Sequence, residues 1–149
     1  MAKFIYNLQN VLNLKLKMEG QAKEAFSAAR MALDEEEEKL QLLKDRKRGY
    51  EEKARVLLSG TLDMLEIESN QNAIMVMDGL IGEQQGRVRR AEQNLERARE
   101  EMTVAMQERK TQEILREKAF EEFLREENRA ESKAIDELTS YTYGQKQGV

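Results

Sequence analysis

Apolar residues recur along this chain at alternating steps of three and four, from near its start to about residue 138. That is the spacing of helices that bury one stripe against a partner helix. In the first half the stripe reads Phe4, Leu8, Val11, Lys15, Met18, Ala22, Ala25 and Ala29. Two successive steps of four then lead to Leu33, and the pattern resumes as Glu36, Leu40, Leu43, Lys47, Tyr50, Ala54 and Leu57. Such a slip predicts a stutter that locally unwinds a supercoil. Glu36 and Lys47 on the stripe are polar layers, which weaken a coiled coil but hold its register. The second half reads Ile74, Met77, Ile81, Gln84, Val88, Ala91, Leu95, Ala98, Met102 and Ala105. Past Arg109 and Gln112 it slides to Leu115, Ala119, Phe123, Ala130 and Ala134.

Ser59-Gly60-Thr61 lies between the two patterns. Glycine can take the left-handed conformation that closes a helix, and threonine can cap the next one. The expectation is an all-α fold: a long two-helix antiparallel coiled-coil hairpin forming one domain over 1–149. Helix 1 covers about 4–58, the turn about 59–61, and the longer helix 2 about 62–140, with a flexible tail at 141–149. Ser69-Asn70-Gln71-Asn72 and Asp78-Gly79 are rival bends, because both are turn-prone. Charge favours Gly60. That bend brings the acidic run Asp34–Glu38 beside Arg87, Arg89 and Arg90, whereas a bend near residue 70 sets those arginines against Glu51 and Glu52. Each exposed pair is worth under about 1 kcal/mol.

Composition agrees with long helices. Charged residues make up 36% and aromatics 5%, too little apolar volume for a multilayer core, and proline is absent. Cysteine and histidine are also absent, which excludes disulfides, thiolate chemistry, zinc sites of these ligands and histidine-dependent triads. A net charge of −4 argues against general nucleic-acid binding. No apolar run approaches the roughly 20 residues of a membrane span, and the first residues lack the features of a secretory signal. A soluble cytosolic protein is expected. The acidic run at 34–38 and the basic run at 44–48 read as solvated helix faces, since successive residues on a helix diverge.

Two stretches hold more apolar surface than a two-helix seam consumes. Ala73-Ile74-Met75-Val76-Met77, followed by Leu80 and Ile81, is apolar on several sides of one helix. With the bend at Gly60 it lies beside Leu40, Leu42, Leu43 and Tyr50, and Met75, Val76 and Leu80 should remain partly exposed. Such a patch on a polar helix pair marks a partner site, a short third helix or self-association. Beyond about residue 118 helix 2 outruns helix 1, yet Phe120, Phe123, Leu124, Ile135 and Leu138 keep a stripe. That stripe is a second candidate contact surface. No catalytic constellation is visible: Gly79-Leu80-Ile81-Gly82 lacks the lysine and strand context of a phosphate loop. The chain reads as a binding protein, not an enzyme, with no cofactor, metal or small-molecule substrate.

The ends of the chain carry a resemblance. Phe4-Ile5-Tyr6-Asn7-Leu8-Gln9-Asn10-Val11-Leu12-Asn13-Leu14-Lys15, with Glu19 and Ala22 following, resembles the opening of the flagellar export protein FliJ family. Leu58-Ser59-Gly60 resembles its mid-chain glycine turn, and Lys133-Ala134-Ile135-Asp136-Glu137 its C-terminal Asp-Glu element. The resemblance implies a coiled coil similar to the central stalk of rotary ATP synthases. It also implies three partners: the hexameric export ATPase FliI, the membrane export-gate protein FlhA, and export chaperones. Membrane contact would then come only through the gate, at the cytoplasmic face of the inner membrane, with a role in motility and chemotaxis.

The family's gate contact matches Leu43 and Tyr50 on helix 1 and Met77 and Ile81 on helix 2, and Val76 and Leu80 extend it. Arg46 and Met77 stand where family members can carry aromatics. For the ATPase the expected residues are Phe4, Leu8, Phe120, Phe123, Ile135 and Leu138. The alternatives are a self-associating structural coiled coil, or a stalk-like subunit of another rotary ATPase or secretion system.

Overall fold

The structure is a computed structural model that describes residues 2–147. Among these there are two α-helices and no strand: α1, Gln9–Ser59, and α2, Met64–Gln147. The helices pack against each other and the second is the longer, so the fold is the all-α hairpin that the periodicity predicts.

The chain reverses at Gly60–Asp63, and its chemistry differs from the expectation. No glycine or other described residue has a positive φ. Gly60 therefore does not close α1 in the left-handed conformation. Ser59 ends the helix instead, its hydroxyl donating to the Val56 carbonyl at 2.9 Å. The N-cap of α2 is Asp63 rather than Thr61: its Oδ1 accepts from the amides of Leu65 at 3.1 Å and Glu66 at 3.4 Å. A carboxylate there satisfies otherwise orphaned N–H groups and faces the positive end of the helix dipole. Both rival bends lie inside α2.

The ends of the helices also shift. α1 starts at Gln9, not near residue 4. Residues 2–6 are irregular and lead into a turn in which the Tyr6 carbonyl accepts from Gln9 N at 3.1 Å. At the other end α2 continues through Gln147, across the stretch expected to fray. Thr142 Oγ1 donates to the Leu138 carbonyl at 2.9 Å, and Gln145 reaches the Tyr141 hydroxyl at 2.6 Å. Residues 148 and 149 of the expected tail lie outside the described residues.

Packing divides the chain into two compact units. The bend unit is Gln21–Thr103; the terminal unit joins the chain up to Gly20 with the chain from Val104 onward. In the bend unit α2 buries Asn70, Met77, Gln84, Val88, Ala91 and Ala98. Facing them, α1 half-buries Ala22, Phe26, Ala29, Leu33, Glu36, Leu40, Leu43, Lys47, Tyr50, Ala54 and Leu57. That series alternates threes and fours without interruption, so the stutter at Ala29–Leu33 does not exist. Phe26 occupies the seam in place of Ala25, and the Arg99 guanidinium sits 5.8 Å from its ring centroid. A phenyl ring buries far more area than a methyl group and gains a cation–π contact as well.

Register is held by polar bonds across the seam. Asn70 Nδ2 donates to the Tyr50 carbonyl at 2.9 Å. Gln84 Nε2 donates to the Glu36 carbonyl at 2.9 Å and also to the Glu36 carboxylate. These pairs match a bend next to Gly60. The charge pairing that favoured it is not made: among the described residues Arg87, Arg89 and Arg90 form no ion pair with Asp34–Glu38. Glu36 instead lies 3.8 Å from Lys39 on its own helix.

In the terminal unit the seam again departs from the apolar pattern. Leu12 and Glu19 are buried, while Met18 is 40% exposed. Glu19 receives the Arg109 Nε–H at 2.6 Å, and Lys15 bonds Glu108 at 2.9 Å. On α2 the seam passes through Ala105, Arg109, Gln112 and Ala119, and the exposed Arg116 at its edge bonds through Nε to Gln9 Oε1 at 3.0 Å. It does not slide to Leu115, which is 43% exposed, and Ala130 and Ala134 are exposed.

Two substitutions at the reversal test this account. Gly60→Ala meets nothing within 4 Å and no positive φ, so it should leave the fold unchanged and raise stability by about 0.4–1 kcal/mol. Asp63→Ala should cost about 1 kcal/mol by loss of the cap. Urea unfolding followed by far-ultraviolet circular dichroism checks both; a destabilised Gly60→Ala would mean that glycine is required at the turn.

Candidate functional site

The bend unit carries the first surface. Val76 is 59% exposed, Leu80 39% and Met75 70%, as the apolar surplus predicts. Leu42 on α1 is 62% exposed. The other expected gate residues face differently. Met77 is buried in the seam, and Leu43, Tyr50 and Ile81 are half-buried. Of the six, only Val76 and Leu80 are exposed, Val76 by more than half and Leu80 by less; the other four hold the helices together beneath them. Gly79, Gly82 and Gly86 would meet nothing with a Cβ, which leaves the adjoining face of α2 open.

Lys47 and Asp78 clip this region at 2.6 Å, with Glu51 at 3.7 Å from the same ammonium. The Asp78 hydrogen bond holds the Lys47 pKa above the usual lysine value, against the opposing cost of desolvation, with Coulomb attraction to Asp78 and Glu51 adding to the rise. A raised folded-state pKa stabilises the fold at pH values below the ordinary 10.5, and that contribution is lost as pH climbs through the folded-state value.

One apolar group escaped the periodicity. Val56, Leu58, Leu62, Met64 and Leu65 surround the reversal and are each more than half exposed. They straddle the turn, where no helical period links them. Local density of large apolar residues was the available signal.

The terminal unit carries the second surface. Phe4, in the irregular segment before α1, packs edge-on against Phe120 at 5.1 Å and tilted against Phe123 at 5.4 Å. Phe120 and Phe123 stack at 6.4 Å, and Arg116 lies 5.5 Å from the centre of the Phe4 ring. α2 beyond residue 118 is therefore not without a partner from the first arm. An irregular chain advances about 3.3 Å per residue against 1.5 Å in a helix, so this short segment reaches farther along α2 than a helical turn would. Beside it lies an open groove of about 540 Å³, lined by Phe4, Ile5, Tyr6, Asn7, Leu8, Ala119, Glu122, Phe123 and Glu126. The Tyr6 hydroxyl is buried without a hydrogen-bond partner among the described residues, at a cost of about 1–3 kcal/mol.

Phe4, Leu8 and Phe123 thus share one groove, and Phe120 joins it through the aromatic cluster. Ile135 and Leu138 are not brought to it; they are 64% and 69% exposed along α2, and Leu138 lines a separate recess with Thr139, Thr142 and Tyr143. Arg109 anchors the unit between Glu19 and Glu113, at 2.6 and 2.8 Å. Hydrogen bonds that it donates to these carboxylates raise its pKa beyond the usual arginine value. Among the described residues no three side chains converge on a metal-binding geometry, and no helix is long and apolar enough to cross a membrane.

Phe4→Ala should release the irregular segment from α2, costing about 1–3 kcal/mol locally through two lost aromatic contacts. Amide hydrogen exchange should then accelerate at Tyr6–Leu12 while the bend unit is unchanged. Lys47→Met should lower stability by a constant amount from about pH 6 to pH 9. The deficit should shrink above about pH 10.5, where the unfolded chain sheds this proton while folded Lys47 still holds it; a deficit independent of pH throughout would remove the ion pair from the account.

Comparison with known proteins agrees with this architecture. A solved structure of CT670, described as a YscO homolog from Chlamydia trachomatis, superposes with a TM-score of 0.64 at 23% identity, over 97% of this chain and 98% of that one. Among curated proteins, none matches the sequence significantly. The family model described as flagellar FliJ protein matches residues 4–148. Both helices, the reversal and both surfaces lie within that match, and the chain belongs to the FliJ family, whose members are associated with the flagellar type III export apparatus.

Proposed function

We propose that this protein is a non-enzymatic coupling and escort factor of flagellar type III protein export. In this reading the terminal unit contacts the export ATPase ring, FliI, through the Phe4, Phe120 and Phe123 cluster and Leu8, with Ile135 and Leu138 extending the contact along α2. The bend unit contacts the export gate, FlhA, through Val76 and Leu80, held in place by Leu43, Tyr50, Met77 and Ile81. Export chaperones are further partners. The protein works in the cytoplasm at the inner face of the membrane and touches the bilayer only through the gate.

The observation that carries this reading is the family match over residues 4–148, read together with Met75, Val76 and Leu80 left exposed on a highly charged helix pair. Exposed apolar side chains in one place are costly to keep in water unless a partner covers them, and methionine adapts to partners of varied shape. The two recesses of the terminal unit are shallow and open, a shape that suits contact with another protein. Self-association through the same patch is the second reading, because an apolar patch can cover its own copy.

Val76→Glu and Leu80→Glu lie outside the buried seam and should leave helicity intact. Each should weaken binding to the purified cytoplasmic part of FlhA by at least about tenfold, the effect of one buried charge. Wild-type protein should also raise the ATPase activity of FliI rings. Absence of both binding and stimulation would sink the proposal, and a concentration-dependent dimer in light scattering that Val76→Glu abolishes would favour self-association.

A further inference from the structure

We infer that the groove between the N-terminal segment and α2 is a docking site for an extended segment of a partner protein that sets a lysine or arginine next to a large apolar residue. The groove has two chemical halves. Phe4, Ile5, Leu8 and Phe123 supply an apolar floor, and Ile5 is 75% exposed. Glu122 and Glu126 stand one helical turn apart on α2 at its edge, so both carboxylates face the same side.

Neither carboxylate pairs with a group on the N-terminal segment or α1 among the described residues. Glu126 has no ion-pair partner among the described residues, and Glu122 has only Arg125 of its own helix at 3.8 Å, both side chains being more than half exposed. Arg116, which lies over the Phe4 ring, is taken by that ring and by Gln9. A cation brought by a partner would therefore meet one carboxylate without an ion pair and one held only by an exposed pair at 3.8 Å, and an anionic ligand would be repelled.

A peptide suits the groove better than a small molecule. The backbone of residues 3–5 makes no hydrogen bond among the described residues, so its amides and carbonyls are available along one wall. Backbone bonding along an irregular strand, with side-chain pockets for specificity, is a recurrent way of holding an extended segment.

This inference deepens the reading of the terminal unit as the ATPase-binding surface, and rests on it only for which protein supplies the segment. Its test uses the full-length protein, labelled with nitrogen-15, and two acetylated, amidated hexapeptides of equal charge: one alternating arginine with leucine, the other arginine with glycine. The arginine–leucine peptide should shift the amides of residues 4–8 and 119–126 and bind at least tenfold more tightly than the glycine version. Glu122→Gln with Glu126→Gln should lose at least tenfold in affinity while circular dichroism is unchanged. Equal binding of both peptides, shifts confined to other residues, or full affinity in the double variant would overturn the inference.

Binding to FliI separates the two claims. If wild type binds and the double variant binds equally well, the groove inference fails while the proposed function stands. If wild type does not bind FliI, the proposed ATPase contact fails, and the peptide titration alone decides the groove.

Discussion

Directional polar bonds across a thin seam are what the rest of this structure depends on. No large side chain is fully buried among the described residues, and Ala91, Ala98 and Ala105 occupy three successive heptad layers of α2. Alanines facing one another pack tolerably in several registers, because a methyl group has little shape to match. An amide seeking a particular carbonyl has one partner only. Asn70 with Tyr50 and Gln84 with Glu36 therefore do more to choose a register than the apolar layers around them. Polar groups at seam positions trade some stability for that specificity.

The terminal unit meets the same constraint with charge. Arg109 sits on the seam between Glu19 and Glu113, and Lys15 with Glu108 forms a neighbouring layer. Where α1 ends, the chain keeps covering α2 by abandoning the helix. Phe4 then anchors an irregular segment on two phenylalanines one turn apart. That change of backbone creates the groove, since a helix continued to residue 4 would have carried its side chains around its own axis.

Much of the fold is legible in the residues themselves. Alternating threes and fours, no proline and a break preferred at Gly60 over two rivals leave little besides a two-helix hairpin. The α2 stripe from Ile74 to Ala105 follows the reading position by position. The errors share one cause: each prefers an apolar residue to the charged or aromatic one beside it. Apolar spacing prefers Met18 to the buried Glu19 and Ala25 to the half-buried Phe26, and the apparent stutter follows from these two. A charged residue enters a seam only when its partner waits on the other helix, and one strand of sequence does not display that partner.

The candidate surfaces divide in the same way. Exposure of Met75, Val76 and Leu80 followed from counting apolar groups against one seam, which is a local argument. The meeting of Phe4 with Phe120 and Phe123 joins residues more than a hundred positions apart and requires the backbone of residues 2–6 to leave the helix. By itself, the sequence determined the helices, the place of reversal and the surplus of apolar surface, because periodicity and backbone preference are properties of neighbouring residues. Tertiary structure alone decided the seam's charged layers, the Asp63 cap and the aromatic groove, because each depends on which distant group satisfies a polar atom or covers a ring.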